Sequence, residues 1–206
     1  MSTSEAFKCE VAALRCTQFC VGMREVTLKR AQLDEESKSE RKDFLKNHLI
    51  PVVRGPGGEL FLTDHHHLAR ALWDAGHQHA WAVQQADLSA DTAADFWKAM
   101  EQKHWLYPVN DRGQSRPYGD LPKHVKDLKD DPYRSLAGLA RDAGAFVKDG
   151  ALFAEFKWAE FFRSRVELGG SGKADFEAAL KQAEMLAGSP AAKDLPGYKP
   201  VGKVQP

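Results

Sequence analysis

The sequence predicts the α/β (α+β) class: a small strand-bearing N-terminal core followed by a helical C-terminal part. Three observations carry this. A run rich in β-branched residues, 49–53, and a second strand-like run, 59–63, flank the turn signal Gly55-Pro56-Gly57-Gly58 and read as a hairpin. A helical pattern starts directly after the second run, with Leu68, Ala69, Ala71 and Leu72 on its apolar side. From residue 135 onward the apolar residues recur at helical spacing.

Taken in order, residues 1–21 show no clear period, and Val11, Leu14, Phe19 and Val21 fit a strand or an early helix. Met23-Arg24-Glu25-Val26 reads as the end of a short strand. Residues 31–47 are highly charged, with Leu33, Phe44 and Leu45 as sparse apolar points, and predict one exposed amphipathic helix. After the hairpin and the helix at 68, Gly76 supplies a stop. Trp81-Ala82-Val83 predicts a third strand. Ser89 can cap a helix from 90 to about 104 that places Phe96, Trp97 and Met100 on one face. Residues 107–133 are rich in Pro and Gly and read as a long loop, a feature more often functional than filler. Helices are expected over 135–145, 152–166 and 174–187, the second with a strongly aromatic packing surface. Gly169-Gly170-Ser171-Gly172 reads as a flexible break, and a loose tail is expected from Leu195.

The 206 residues fit one domain with an appendage or two small ones. The expected organisation is a core over 21–106, a loop-rich and helical extension packed on it over 107–198, and a flexible tail over 199–206. Lys plus Arg and Asp plus Glu both total 29, so the net charge is zero. A protein that grips nucleic acid through its phosphates usually carries a basic excess, so broad affinity for DNA is disfavoured. The mean hydropathy of -0.50 and the lack of a long apolar run predict no transmembrane helix. The N-terminus lacks the basic-then-apolar signature of a secretory signal. Cys9, Cys16 and Cys20 are odd in number and clustered, which predicts reduced thiols and a cytoplasmic setting rather than a disulfide framework.

The sharpest chemical feature is Asp64-His65-His66-His67, between a strand end and a helix start. A helix N-terminus offers backbone N–H groups and a favourable dipole to an anion. An acid and imidazoles at that point can bind an anion, relay a proton or hold a metal. Three consecutive histidines cannot all face one point, so two at most are expected to converge. The competing reading is an Asp N-cap with locally satisfied histidines. No partnered carboxylate or cysteine follows at a metal-binding spacing, so no metal ligands are assigned.

On these residues the chain resembles the ParB/sulfiredoxin-like superfamily, and within it the putative ParB-like nuclease family. The resemblance runs through Val21-Gly22-Met23-Arg24-Glu25-Val26, through Leu60-Phe61-Leu62-Thr63-Asp64-His65-His66-His67-Leu68-Ala69-Arg70-Ala71-Leu72, and through Asp131-Pro132-Tyr133-Arg134-Ser135-Leu136. It continues in Glu155-Phe156-Lys157-Trp158-Ala159 and Leu195-Pro196-Gly197-Tyr198. It implies a small mixed-sheet core that binds nucleotides. Relatives include DNA-segregation proteins that bind cytidine triphosphate, sulfiredoxin with ATP, and a free-serine kinase. The strand-to-helix box contacts phosphate in them. The resemblance therefore implies that Asp64, His66 and His67 are catalytic, with Asp64 as anchor or base and the two histidines touching phosphate or moving protons. It implies that Lys29, His65, Arg70 and Arg24 contact the bound nucleotide. The box glycine is His65 here and the box arginine is Leu68. Arg70 points about 200° away from Leu68 on a helix and is no simple replacement.

The implied function is binding of a nucleotide or phosphodiester at the Asp-His-His-His junction, with phosphate hydrolysis or transfer and with Mg²⁺ or Mn²⁺ to neutralise charge. A nucleotide or another phosphate ligand is the expected partner; nucleic acid is not favoured by the net charge, and no membrane partner is expected. Two alternatives stand beside it: a ParB-like nucleotide- or DNA-binding module without turnover, and an idle fold used for protein contacts. Arg112, Arg116, Lys123 and Arg134 form a second candidate, a loop closing over an anion.

Overall fold

The computed structural model describes residues 5–170 and 172–200. The chain opens with three short strands, β1 (Phe7–Glu10), β2 (Leu14–Arg15) and β3 (Cys20–Val21). Helices α1 (Met23–Glu35) and α2 (Lys38–Asn47) follow, then the hairpin β4 (Ile50–Arg54) and β5 (Leu60–Leu62). Next come α3 (His66–Asp74), β6 (His79–Asp87), α4 (Ala93–Gln102), β7 (Lys129–Asp130), α5 (Pro132–Asp142), α6 (Ala154–Arg163) and α7 (Lys173–Ala187). The fold is mixed α/β, as the sequence predicts.

Five strands make a mixed sheet in the order β1-β6-β4-β5-β2. β1 runs antiparallel to β6, β6 parallel to β4, β4 antiparallel to β5, and β5 parallel to β2. The two edges of this sheet are joined by a single 3-10 turn, Val11–Ala13. Four strand spacings would hold the edges of a flat sheet about 19 Å apart. The four residue steps from Glu10 to Leu14 reach at most about 14 Å. The sheet must therefore curl to bring its edges together. β3 and β7 pair separately, in parallel.

Alternation along the hairpin feeds two cores. Val52 and Leu62 are paired and join a buried cluster with Val26, Leu33, Leu68 and Leu72. Val53 and Phe61 are the next pair and face Phe96, Met100 and Leu106. Gly55 is required by this second core: a Cβ there would lie 2.6 Å from Phe61 Cε2 and 2.9 Å from Phe96 Cε2.

The chain divides into two compact units, Met1–Asp130 and Asp131–Pro206. The second is helical. Trp158 is fully buried in it, stacked on Phe146 with ring centroids 4.2 Å apart and flanked by Phe161 and Phe162. The 107–133 stretch is more ordered than its composition suggests. It holds 3-10 turns at Tyr118–Asp120 and Val125–Asp127, and Val125 and Leu128 are core residues.

Several local readings are corrected. Residues 23–26 are the first turn of α1, not a strand end: side chains from elsewhere cap this helix, with Asp130 Oδ1 accepting the Met23 N–H at 2.9 Å. The charged stretch 31–47 is two helices. Ser37 starts the second with a capping box, accepting from the Glu40 N–H while Glu40 accepts from the Ser37 N–H. Thr92, not Ser89, caps α4; Ser89 is held by Asp87 in the preceding turn. Residues 195–198 are tied down, because Trp158 Nε1–H donates to the Pro196 carbonyl at 2.8 Å and Tyr198 bridges to Phe146. Of the expected flexible stretches, Ser171 and residues 201–206 lie outside the described residues.

Candidate functional site

The β5–α3 junction is shaped by one residue in an uncommon conformation. His65 is the N-cap of α3 and sits in the left-handed region, with φ 63° and ψ 28°. An L residue pays for this geometry and glycine does not. Asp64 is exposed, and its Oδ1 accepts the His65 N–H at 2.7 Å. It precedes the N-cap rather than being it. The first turn of α3 carries no acidic residue and no side-chain cap. An anion arriving there meets the positive end of the helix without a competing carboxylate on that turn.

The two helical histidines diverge. His66 is 2% exposed. Its Nε2 accepts the Thr17 N–H at 3.3 Å and lies 3.2 Å from Thr17 Oγ1, whose own proton goes to the Leu62 carbonyl at 2.7 Å. The Thr17 backbone N–H is a donor only, so Nε2 accepts from it and the proton of the neutral ring sits on Nδ1. His66 holds the segment around Thr17 against β5 from the interior.

His67 turns toward α1. Its Nε2 lies 3.0 Å from the Gly22 nitrogen and 3.4 Å from Glu25 Oε1. The two contacts exclude each other at one instant. With its proton on Nδ1, His67 accepts from Gly22; with a proton on Nε2, it donates to Glu25. Gly22 is the N-cap of α1 and Glu25 lies in its first turn, where the helix dipole favours a carboxylate. Glu25 is 8% exposed. A buried acid beside an imidazole has the chemistry to pass a proton.

The other expected contacts are spread out. Arg70 is engaged: its Nε lies 2.9 Å from both Asp74 carboxylate oxygens, and its Nη1 donates to the Leu128 carbonyl at 2.7 Å. It ties α3 to the 125–130 segment instead of offering its fork to a ligand. Leu68 is buried. Arg24 and Lys29 are half-buried on α1, Arg24 next to Glu25 and Lys29 one turn beyond it. The second candidate is not assembled as a clamp. Arg116 pairs with Asp120 at 2.7 Å, and Arg112 shares its cavity of about 540 Å³ with Asp111, Asp120 and Asp127. Lys123 lines a different cavity, of about 230 Å³, with Arg15, Phe61 and Trp97. Arg134, in the second unit, lies with its guanidinium 3.5 Å from the Phe156 ring centroid.

Cys9, Cys16 and Cys20 are unbridged and buried. Burial pushes the Cys9 thiol up to about 11, against a hydrogen bond from Ala80. Burial, reinforced by Asp127, pushes Cys16 up to about 12. Neither is a nucleophile at neutral pH. Among the described residues no group of three or more His, Cys, Asp or Glu gathers as a metal cage, and no helix is long and apolar enough to cross a membrane.

Sequence reasoning missed Thr17, Gly22 and Glu25, which complete the junction. The family word around 21–26 brought Glu25 into view without assigning it a role.

A family model described as "Putative ParB-like nuclease" matches residues 7–164. The chain belongs to this ParB-like family. The match takes in both the junction and the α1 residues that face it. Among solved structures, the chain is similar to protein Atu1540 from Agrobacterium tumefaciens. The crystal structure of that protein matches at a TM-score of 0.89 and 40% identity, over 98% of this chain and 100% of that one. No curated protein matches.

Proposed function

We propose that the β5–α3 junction binds a phosphate-bearing ligand, a nucleotide or a phosphodiester, and handles a proton there. The observation that carries this reading is the pairing of His67 with buried Glu25 beside a helix start free of acidic residues. The anion would meet the first turn of α3. Asp64, exposed one residue ahead of the N-cap, would act as anchor or base. His67 would pass a proton between Glu25 and the ligand. His66 would act by positioning, since its ring nitrogen is used on Thr17. Arg24, Lys29 and the His65 ring would add polar contacts at the rim. Arg70 would contribute through the placement of α3. A divalent ion, Mg²⁺ or Mn²⁺, would arrive with the phosphates and take at most Asp64 from the protein, because the junction gathers no carboxylate cage.

Thermal unfolding against ATP, ADP, CTP, GTP and a short DNA, with and without Mg²⁺ or Mn²⁺, tests it. A ligand at about 100 times its Kd stabilises the folded state by about 2.7 kcal/mol. The expected result is a ligand-specific upward shift that disappears in Asp64→Asn and His67→Ala. Shifts that survive both substitutions would move the site elsewhere.

A second reading, binding without turnover, is favoured by the engagement of Arg70 with Asp74 and Leu128. Phosphoryl transfer leans on cationic clamps, and α3 supplies none. Turnover in the parent protein separates the two readings: phosphate release or transfer that is lost in Asp64→Asn supports catalysis, and ligand binding without any turnover in the parent protein supports a binding module.

A further inference from the structure

The zero net charge of the chain conceals a one-sided distribution on α2. Lys38, Lys42 and Lys46 recur every fourth residue, a rise of about 6 Å per step and a drift of only about 40° around the helix. Glu40 lies about 160° from Lys42, on the far side of the helix, whereas Asp43 flanks the stripe about 60° from Lys46. All three lysines are exposed. The stripe borders a cavity of about 180 Å³ whose walls include Lys8, Lys38, Lys42, Leu45, His79 and Trp81. Lys8 is opposite Trp81 in the β1–β6 register, and Lys46 Nζ lies 5.3 Å from the Trp81 ring centroid. Among the described residues, none of Lys8, Lys38 and Lys42 forms an ion pair, whereas Arg15, Arg30, Arg54, Arg70 and Arg116 of the same unit each hold a carboxylate. Arg41 also borders the cavity but is engaged, donating to the carbonyls of Leu33 and Glu36. Glu10, opposite His79 across β1–β6, is the acid at the rim.

We propose that this α2–β6 face binds single-stranded nucleic acid. Lys38, Lys42 and Lys46 follow one line on α2, at a spacing that suits successive phosphates of an extended strand, and Lys8 adds a fourth cation without a carboxylate partner at the cavity. A half-buried indole at the same cavity gives a base a surface to stack on, displacing Lys46 from the ring. Stacking platforms interleaved with backbone-tracking cations are the physical basis of single-strand binding. A duplex would present its phosphates but keep its bases from Trp81. The face shares no residue with the β5–α3 junction, so the proposal stands independently of the reading given there.

Fluorescence anisotropy of a labelled oligothymidylate with the full chain, from low to moderate salt, tests it. Neutralising four cations predicts a log–log salt slope of about -3 for a single strand. The double variant Lys38→Glu/Lys42→Glu, exposed on both counts and expected to fold, should weaken binding by at least about tenfold. The control Lys98→Glu, an exposed lysine on α4 outside both sites, should leave it unchanged. Inorganic polyphosphate of matched charge should compete poorly, and Trp81→Phe should retain more affinity than Trp81→Leu, as stacking requires. No binding, binding unaltered by the double variant, or equal competition by polyphosphate or by a poly-glutamate peptide would each overturn the proposal. The last would mark the face as a generic or acidic-peptide surface.

Discussion

The two units each bury a carboxylate, and they treat it in opposite ways. In the second unit, Asp131 caps α5 by accepting the Tyr133 N–H at 3.0 Å with one oxygen, and takes Arg163 Nη2 at 2.6 Å on the other. Burial pulls the Arg163 guanidinium toward deprotonation, but the hydrogen bonds and charges of Asp131 and Glu160 together outweigh it and hold the group above its ordinary range. Both oxygens are used, and the partner never releases its proton under ordinary conditions. In the first unit, Glu25 faces an imidazole whose nearest nitrogen is also claimed by the Gly22 N–H. Its partner is the one side chain whose charge changes near neutral pH. The first arrangement fixes structure. The second leaves one imidazole nitrogen shared between a backbone N–H and a carboxylate, within the stretch that the family model matches.

The largest expected effect comes from opening the closed pair. Asp131→Ala removes a helix cap and leaves half-buried Arg163 with Glu160 as its remaining carboxylate, so unfolding in denaturant should show a loss of about 3 kcal/mol. Glu25→Gln keeps the shape and a hydrogen-bonding oxygen, and should cost about 1 kcal/mol. Equal costs would mean that Glu25 and His67 form a fixed ion pair, and the contrast between the units would collapse.

Alkali probes the first unit from another side. The folded-state values of Cys9 and Cys16 lie above those of a free thiol, so these groups favour the folded state while they remain protonated. Their contribution is whole below about pH 9 and is lost as the pH rises toward about 11 to 12. Stability should therefore fall across that window, and the Cys9→Ala/Cys16→Ala variant should show a shallower decline in its urea midpoint. An unchanged slope would assign the alkaline loss to other groups.

The smallest effect is expected at the junction itself. His65→Gly relieves a left-handed histidine but loosens the unfolded chain, so a net gain of about 0.5–1 kcal/mol is expected. A loss instead would show that the His65 ring makes contacts worth more than the strain of its backbone.

Local chemistry was the legible part of this molecule. The hairpin at 50–62 announces itself through Gly55-Pro56-Gly57-Gly58, and the helix after it through unbroken apolar periodicity. The division between α1 and α2 was also written in the chain, as Ser37 followed three residues later by Glu40, but high charge on both sides masked it. β3 was not readable: two residues form a strand only because Lys129 and Asp130 arrive from more than 100 positions away. The candidate site divides along the same line. Asp64 through His67 is a contiguous word. Thr17 and Glu25 are single residues more than 40 positions from the histidines they meet, and nothing around them marks that meeting. The opposite fates of His66 and His67 follow from the 100° step between neighbours on a helix, a rule that separates the two rings without saying which faces inward.

The turn at Val11–Ala13 ties both rims of the five-stranded sheet to one short stretch of chain. A single cut or deletion before Leu14 would strip β1 from β6 and loosen β2 from β5 together. Two rows of unpaired backbone groups would then face solvent, each a template for another chain. Shortening this protein from its N-terminus should therefore produce self-association and protease sensitivity, rather than a smaller protein that stays in solution.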